Sequence, residues 1–250
     1  MTARTLAAVV TGASSGIGRE IAARLARDGF DVHGVARRAD RLDELAEEVT
    51  AAGGRFTPVP ADLSDTDGQD AAIAAVRSAG VEVGVVVNNA GGSVPVPADD
   101  PEPVWASAMA LQFEAVRRLS DAFAEGMRQR RWGRIVTIGA PLEPPARMNA
   151  STVAKGAVTI WSKIRASELA PHGITVNTVA PGRILTEQVV ERLHPSAEER
   201  EAFARDNIPA GVLGQPADVA ALVSFLTSDE AGYLTGELIH VDGGLRRAAW

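Results

Sequence analysis

Strand-like and helix-like periodicities alternate along the whole chain, and this alternation constrains the fold more than any other feature of the sequence. The runs LAAVV (6–10), VHGVA (32–36), VGVVVN (83–88), RIVTIG (134–139), ITVNTVA (174–180) and LIHVDG (238–243) are largely apolar, and RFTPVPAD (55–62) is a weaker further candidate. Strands without polar alternation are buried on both faces. Between them apolar residues recur at helical spacing, as in Ile21, Leu25 and Ala26, or Leu42, Leu45, Ala46 and Val49. Strands alternating with helices form right-handed crossovers, which place a parallel sheet between two helical layers. The expected fold is α/β: a doubly wound parallel sheet of about seven strands with helices on both faces.

The 250 residues, 46% of them hydrophobic, are enough for one sizeable core and short for two domains, so a single domain over 1–250 is expected. Cysteine is absent, which excludes disulfides, thiolate catalysis and thiolate metal sites. No metal site is read elsewhere. The sequence lacks an apolar run of about 18 residues. MTARTLAAVVTG enters a strand pattern at once, without the apolar stretch of a signal peptide, so a cytoplasmic protein away from membranes is expected. A net charge of −7 argues against nucleic acid as a partner. The segment GGSVPVPADDPEP (91–103) reads as a loop, and the polar stretch from 182 to about 210 as a mobile flap over a site.

VVTGASSGIGREIAARLA places Gly12, Gly16 and Gly18 where the first strand meets the first helix. Glycine there permits a tight turn, close approach of backbone to a pyrophosphate and close helix–strand packing, while the helix N-terminus offers free N–H groups to phosphate. In an NAD site the second strand ends in an acid that holds the ribose hydroxyls. This one ends in Ala36, Arg37 and Arg38. A guanidinium pairs with a 2′-phosphate, so NADP(H) is the expected cofactor and Arg37 its discriminator. The other arginine pairs read as solvated helix faces.

With these motifs the chain resembles the short-chain dehydrogenase/reductase family, and in particular its bacterial 3-oxoacyl-carrier-protein-reductase-like branch. TGASSGIG matches the family's TGxxxGxG, which implies that Ser14, Ser15 and Ile17 lie near the pyrophosphate. ADLSD supplies the adenine-pocket residues Asp62 and Leu63, and NNAG (88–91) puts Asn89, Ala90 and Gly91 beside the cofactor. APGRILT (180–186) matches the PG motif at Pro181 and Gly182; Ile184 would meet the carboxamide and Thr186 the phosphates. VDGG (241–244) matches the last strand and turn. The resemblance also implies a homo-oligomer, a tetramer or dimer, built on helices around 101–130 and 149–170, with Leu111, Ala115, Leu119, Val158 and Trp161 available to the interface or to the domain's own sheet.

Family members usually carry a catalytic Asn, a Ser, and the Tyr and Lys of YxxxK. At those positions this chain has Gln112, Ala140 and Ser151, and only Lys155 survives. The chain's one tyrosine, Tyr233, lies far along the sequence, and a seven-residue Tyr–Lys spacing finds Met148. Lys155 and Ser151 are the catalytic candidates, four residues apart on one helix face. Lys155 also has the family's role at the nicotinamide ribose, and Ser151 also reads as a small residue that enlarges the pocket. Glu143, Arg147, Glu187 and His194 are further proton-transfer candidates, and His33, His172 and His240 read as strand or loop residues.

Three readings follow. The first is an NADP(H)-dependent oxidoreductase that acts on a carbonyl, imine or conjugated small molecule through a non-standard proton path. The others are a non-redox enzyme such as an isomerase, cyclase or dehydratase, and a catalytically silent cofactor-binding protein. Intact nucleotide motifs favour the first and are compatible with the third.

Overall fold

The structure is a computed structural model that describes residues 5–92, 96, 102–142 and 148–247, except for the side chain of Arg192. Its seven strands are β1 (Ala7–Thr11), β2 (Asp31–Ala36), β3 (Arg55–Pro60), β4 (Val83–Asn88), β5 (Gly133–Ile138), β6 (Ile174–Pro181) and β7 (Leu238–Val241). They form one sheet in the order β3-β2-β1-β4-β5-β6-β7, and every pairing is parallel. The weakest strand candidate, at 55–62, is therefore real: it pairs with β2 along its length, from Asp31 opposite Arg55 to Ala36 opposite Pro60. Its prolines are tolerated because β3 is an edge strand.

Adjacent residues on each strand serve opposite layers. Ala8, Val10, Val85, Val87 and Val179 pack with Ile21 and Leu25 of α1 (Gly16–Arg27), Leu42 and Leu45 of α2 (Ala39–Ala51), and Val219 and Val223 of the helix Pro216–Leu226. Ala7, Val9, Val86, Ile135 and Val176 pack the other way, against Ile73 and Val76 of α3 (Thr66–Ser78) and Leu119 and Phe123 of the helix Ala115–Arg130. Both faces are covered, which is why the strands read as continuous apolar runs.

The remaining helices, in chain order, are α4 (Glu102–Met109), α5 (Ala115–Arg130), α6 (Ala150–Leu169), α7 (Ala197–Asn207) and α8 (Pro216–Leu226). A π-helical turn, Ala110–Glu114, joins α4 to α5. The stretch from 182 to about 210, expected to break the rhythm, contains α7 and a π turn over Val189–Leu193. The start of α7 is a capping box: the Ser196 hydroxyl accepts from the Glu199 N–H at 3.0 Å, and the Glu199 carboxylate accepts from the Ser196 N–H at 3.1 Å. The SAEE sequence carries that signal. Of the interface candidates, Ala115, Leu119 and Val158 are buried within the chain, whereas Val153, Ile160 and Ile164 are the exposed apolar residues of α6.

Strand order reverses between β1 and β4. In an open parallel sheet, the crevice outside the carboxyl ends of the strands at such a point is where ligands bind. The glycine turn leaves β1 there, and the Asn88–Gly91 segment leaves β4 there.

Candidate active site

Two chain segments close on each other at this crevice. The Thr11 hydroxyl accepts from the backbone N–H groups of Asn89 and Ala90, at 2.9 Å each. In return the Asn89 side-chain amide donates to the Thr11 carbonyl at 3.0 Å and the Gly12 carbonyl at 3.4 Å. A Cβ at Gly12 would sit 2.7 Å from Asn89 Nδ2, and one at Gly18 would collide with that amide and with the Gly12 carbonyl. Gly12 also has φ +67° and Gly16 φ +54°, conformations that side chains resist. The glycines are thus required by β4 as much as by any ligand.

Helix α1 begins at Gly16 behind Ser15, whose side chain makes no cap bond to the helix. Its first N–H groups therefore face the crevice without a side-chain acceptor, as anion binding needs. Thr186 lies against Gly16, where a Cβ on the glycine would be 3.2 Å from Thr186 Cγ2. Ile184 is buried and bridges to Gly214, and Gly182 donates its N–H to the Val241 carbonyl at 2.9 Å, which leaves no room there for a Cβ beside Asp242. Pro181 ends β6.

The two arginines after β2 diverge. Arg37 is largely exposed and reaches Asp62 at 3.9 Å. Burial pushes the Asp62 carboxyl up, but Ser64, whose N–H donates to it at 3.0 Å, and the Arg37 cation outweigh that and hold it below the usual range. Arg38 instead folds over the glycine turn. It donates to Ser15 Oγ at 2.6 Å and Ser14 Oγ at 3.3 Å, and pairs with Glu187 at 3.5 Å. Glu187, a proton-transfer candidate in the sequence, is engaged by the cofactor-side arginine. Leu63 is buried, and its carbonyl is held by Gln69 Nε2 at 3.1 Å, which also donates to the Ala110 carbonyl at 3.2 Å. Gln69 thereby ties the loop after β3 to the start of the π turn, a link with no sequence motif.

The π turn carries Gln112. This residue is 3% exposed, and its Nε2 donates to Ser151 Oγ at 2.7 Å. Its Oε1 is buried without a hydrogen-bond partner among the described residues and lies against Gly91, where a Cβ would be 3.1 Å from it. Ser151 is 3% exposed. Gln112 and Ser151, which the sequence reading sets at the Asn and Tyr positions, therefore bond to each other. One turn further along α6, Lys155 donates from Nζ to the Gly139 carbonyl at 3.1 Å, just beyond the end of β5. Burial lowers its ammonium from the ordinary 10.5 to about 8. Ala140 follows directly and is partly exposed. His194 stacks on Phe203 of α7 with ring centroids 4.6 Å apart, Tyr233 is fully exposed, and Glu143 and Arg147 lie outside the described residues.

Comparison with known proteins decides the family. Residues 12–246 match a family described as Enoyl-(Acyl carrier protein) reductase. The 3-oxoacyl-[acyl-carrier-protein] reductase FabG of Haemophilus influenzae is 36% identical over 95% of this chain and 97% of its own length. The chain belongs to the short-chain dehydrogenase/reductase family of oxidoreductases. Its fold is that of YwfH, an NADPH dependent reductase involved in bacilysin biosynthesis, with a TM-score of 0.91, 30% identity, and coverage of 98% of this chain and 99% of that one. L-sorbose reductase from Gluconobacter frateurii, solved with NADPH and L-sorbose, matches equally, with a TM-score of 0.91, 30% identity and 98% coverage of both chains.

The family resemblance placed Asn89 beside a cofactor; the structure adds that it clamps β4 to β1, and Thr11, which sequence reasoning passed over, is the other half of that clamp. Thr11→Val keeps the shape and strands two backbone N–H groups. We expect it to destabilise the fold by about 1–3 kcal/mol per unpaired group in urea denaturation. Unchanged stability would show that the clamp contributes nothing.

Proposed function

We propose that this chain is an NADP(H)-dependent oxidoreductase that reduces a carbonyl, imine or conjugated small molecule without the phenol its family uses. One observation carries the reading: the buried Gln112–Ser151 hydrogen bond occupies the proton-delivering position while the cradle at the β1/β4 crevice is complete. The residues present fit a dinucleotide. Bare backbone at Gly12 and Gly16, the uncapped start of α1 and Thr186 form a surface for the pyrophosphate. Ser14, Ser15, Ile17 and Gly18 belong to the same turn, with Asp62 and Leu63 on the adenine side. Asn89 to Gly91, Pro181, Gly182 and Ile184 would border the nicotinamide end, and Lys155 would hold the ribose.

When bound, reduced nicotinamide supplies a hydride. The chain's own part is to hold it, to bring the substrate carbon to it and to supply a proton. Arg37 and Arg38 flank the place where a 2′-phosphate lies, and no acid sits at the end of β2 to oppose it. Arg37 is the more available of the two, since its ion pair among the described residues is a long one. The segment from 182 to about 210 acts as the substrate flap, with Glu187 and Thr186 as its contacts to the glycine turn.

We also read the exposed Val153, Ile160 and Ile164 of α6 as the surface on which two copies meet, giving a dimer or tetramer. A monomer by light scattering at micromolar concentration contradicts this. No helix of the described residues is long and apolar enough to cross a membrane, consistent with a cytoplasmic enzyme acting on small molecules.

The test is consumption of bound NADPH when ketones, aldehydes, imines and enones are offered. Binding without consumption across all four classes would leave a silent cofactor-binding protein. NADPH is expected to bind more tightly than NADH, and Arg37→Ala to weaken NADPH alone, by about 1.5–3 kcal/mol, the range of a hydrogen bond to a charged group. Equal affinities that the substitution leaves unaltered would remove Arg37 from this role.

A further inference from the structure

Lysine is nearly absent from this chain. Its 25 basic residues are 23 arginines and two lysines, Lys155 and Lys163. The distinction is chemical, because a guanidinium does not give up its proton in a protein and an ammonium does. Lys163 is exposed and paired with Glu237 at 3.3 Å. Lys155 stands in the candidate site with partial exposure, and among the described residues its Nζ donates to one acceptor, the Gly139 carbonyl. An ammonium has three N–H bonds, so two remain for other partners.

The hydroxyls that would compete for the role are absent, remote or buried. Position 140 is alanine, Tyr233 is fully exposed, and Ser151 is buried with its oxygen accepting from Gln112. An aliphatic hydroxyl is in any case a far weaker acid than a phenol. We propose that Lys155 is itself the proton donor of the reduction, its Nζ–H delivering the proton that a tyrosine delivers elsewhere in the family. The proposal rests on the oxidoreductase reading above.

The step balances. The substrate carbon accepts the hydride given up as NADPH becomes NADP⁺, and the π pair of the C=O bond moves onto oxygen. An N–H bond of Lys155 breaks as the O–H bond forms, leaving a neutral amine that then takes a proton from water. Lys155 is half-buried, and that last transfer would draw on water in the crevice. Burial alone depresses the ammonium, to about 8, with no charged side chain among the described residues contributing. General acids work best when they titrate near the working pH. The substrate class narrows accordingly. A neutral carbonyl or conjugated carbonyl needs this proton, whereas a preformed iminium does not and is repelled by the ammonium.

The scarcity of lysine makes the test direct. In the ligand-free full chain, lysine-selective NMR shows two side-chain signals, and Lys163→Arg assigns them by removing one. Lys155 is expected to titrate near 8, below the ordinary lysine value of about 10.4. Single-turnover oxidation of saturating NADPH by a carbonyl should slow about tenfold per pH unit above the same midpoint. Lys155→Arg keeps the cation and cannot release its proton. It should lose about 10²–10⁴-fold in rate at saturating NADPH, and with it the bend near pH 8, the saturating concentration being set for this variant by fluorescence titration. A Lys155 signal that titrates at the ordinary lysine value of about 10.4, or a Lys155→Arg variant with the parent rate and pH profile, overturns the proposal alone. A parent protein that oxidises no NADPH at any pH overturns the oxidoreductase reading, and the proposal with it.

Discussion

The site depends on the hydrogen-bonded clamp between the ends of β1 and β4. Parallel strands running outward from a reversal of order leave an open crevice, and something must hold its two lips in register. Here Thr11 and Asn89 do so reciprocally, each using its side chain to satisfy the other's backbone. The clamp leaves no space for side chains at Gly12 and Gly18, so the turn that would approach a pyrophosphate is shaped by contacts within the protein. The cradle is preorganised, and ordering cost at binding is correspondingly small.

The proposed proton chemistry would be built on a different layer. The π turn at Ala110–Glu114 and the first turns of α6 bring Gln112 against Ser151, and β5 ends beside Lys155. None of these contacts takes part in the Thr11–Asn89 clamp. On the proposed reading, that separation would let the phenol be lost while the nucleotide motifs remain intact. It also sets the role of Ser151. Its oxygen accepts from Gln112 in a buried environment, so it is a structural partner before it is a catalytic group.

The fold was legible because burial on both faces writes itself into a strand as an unbroken apolar run, and all seven strands stand within a few residues of where those runs occur. The glycine turn was legible because positive φ and close approach leave few other residues possible. Arg38 was only half legible: the pair of arginines is visible, but not that one of them turns to Ser14, Ser15 and Glu187. The Gln112–Ser151 bond joins residues 39 apart in sequence, and no local pattern announces it. The depressed ammonium of Lys155 is likewise a product of surroundings assembled from distant segments. Local rules read periodicity and turns; pairings across the crevice require the fold.

The central claim is that the hydroxyl now standing at the tyrosine position does not deliver the proton. Ser151→Ala tests it most directly, with single-turnover NADPH oxidation measured on a carbonyl that the parent protein reduces. The substitution leaves Gln112 Nε2 without its partner and should cost some stability, so folding is checked at the assay temperature. The account predicts a rate within a few-fold of the parent. A loss of about 10²-fold or more with NADPH affinity retained, the size of a missing general acid, would contradict it and make Ser151 the donor.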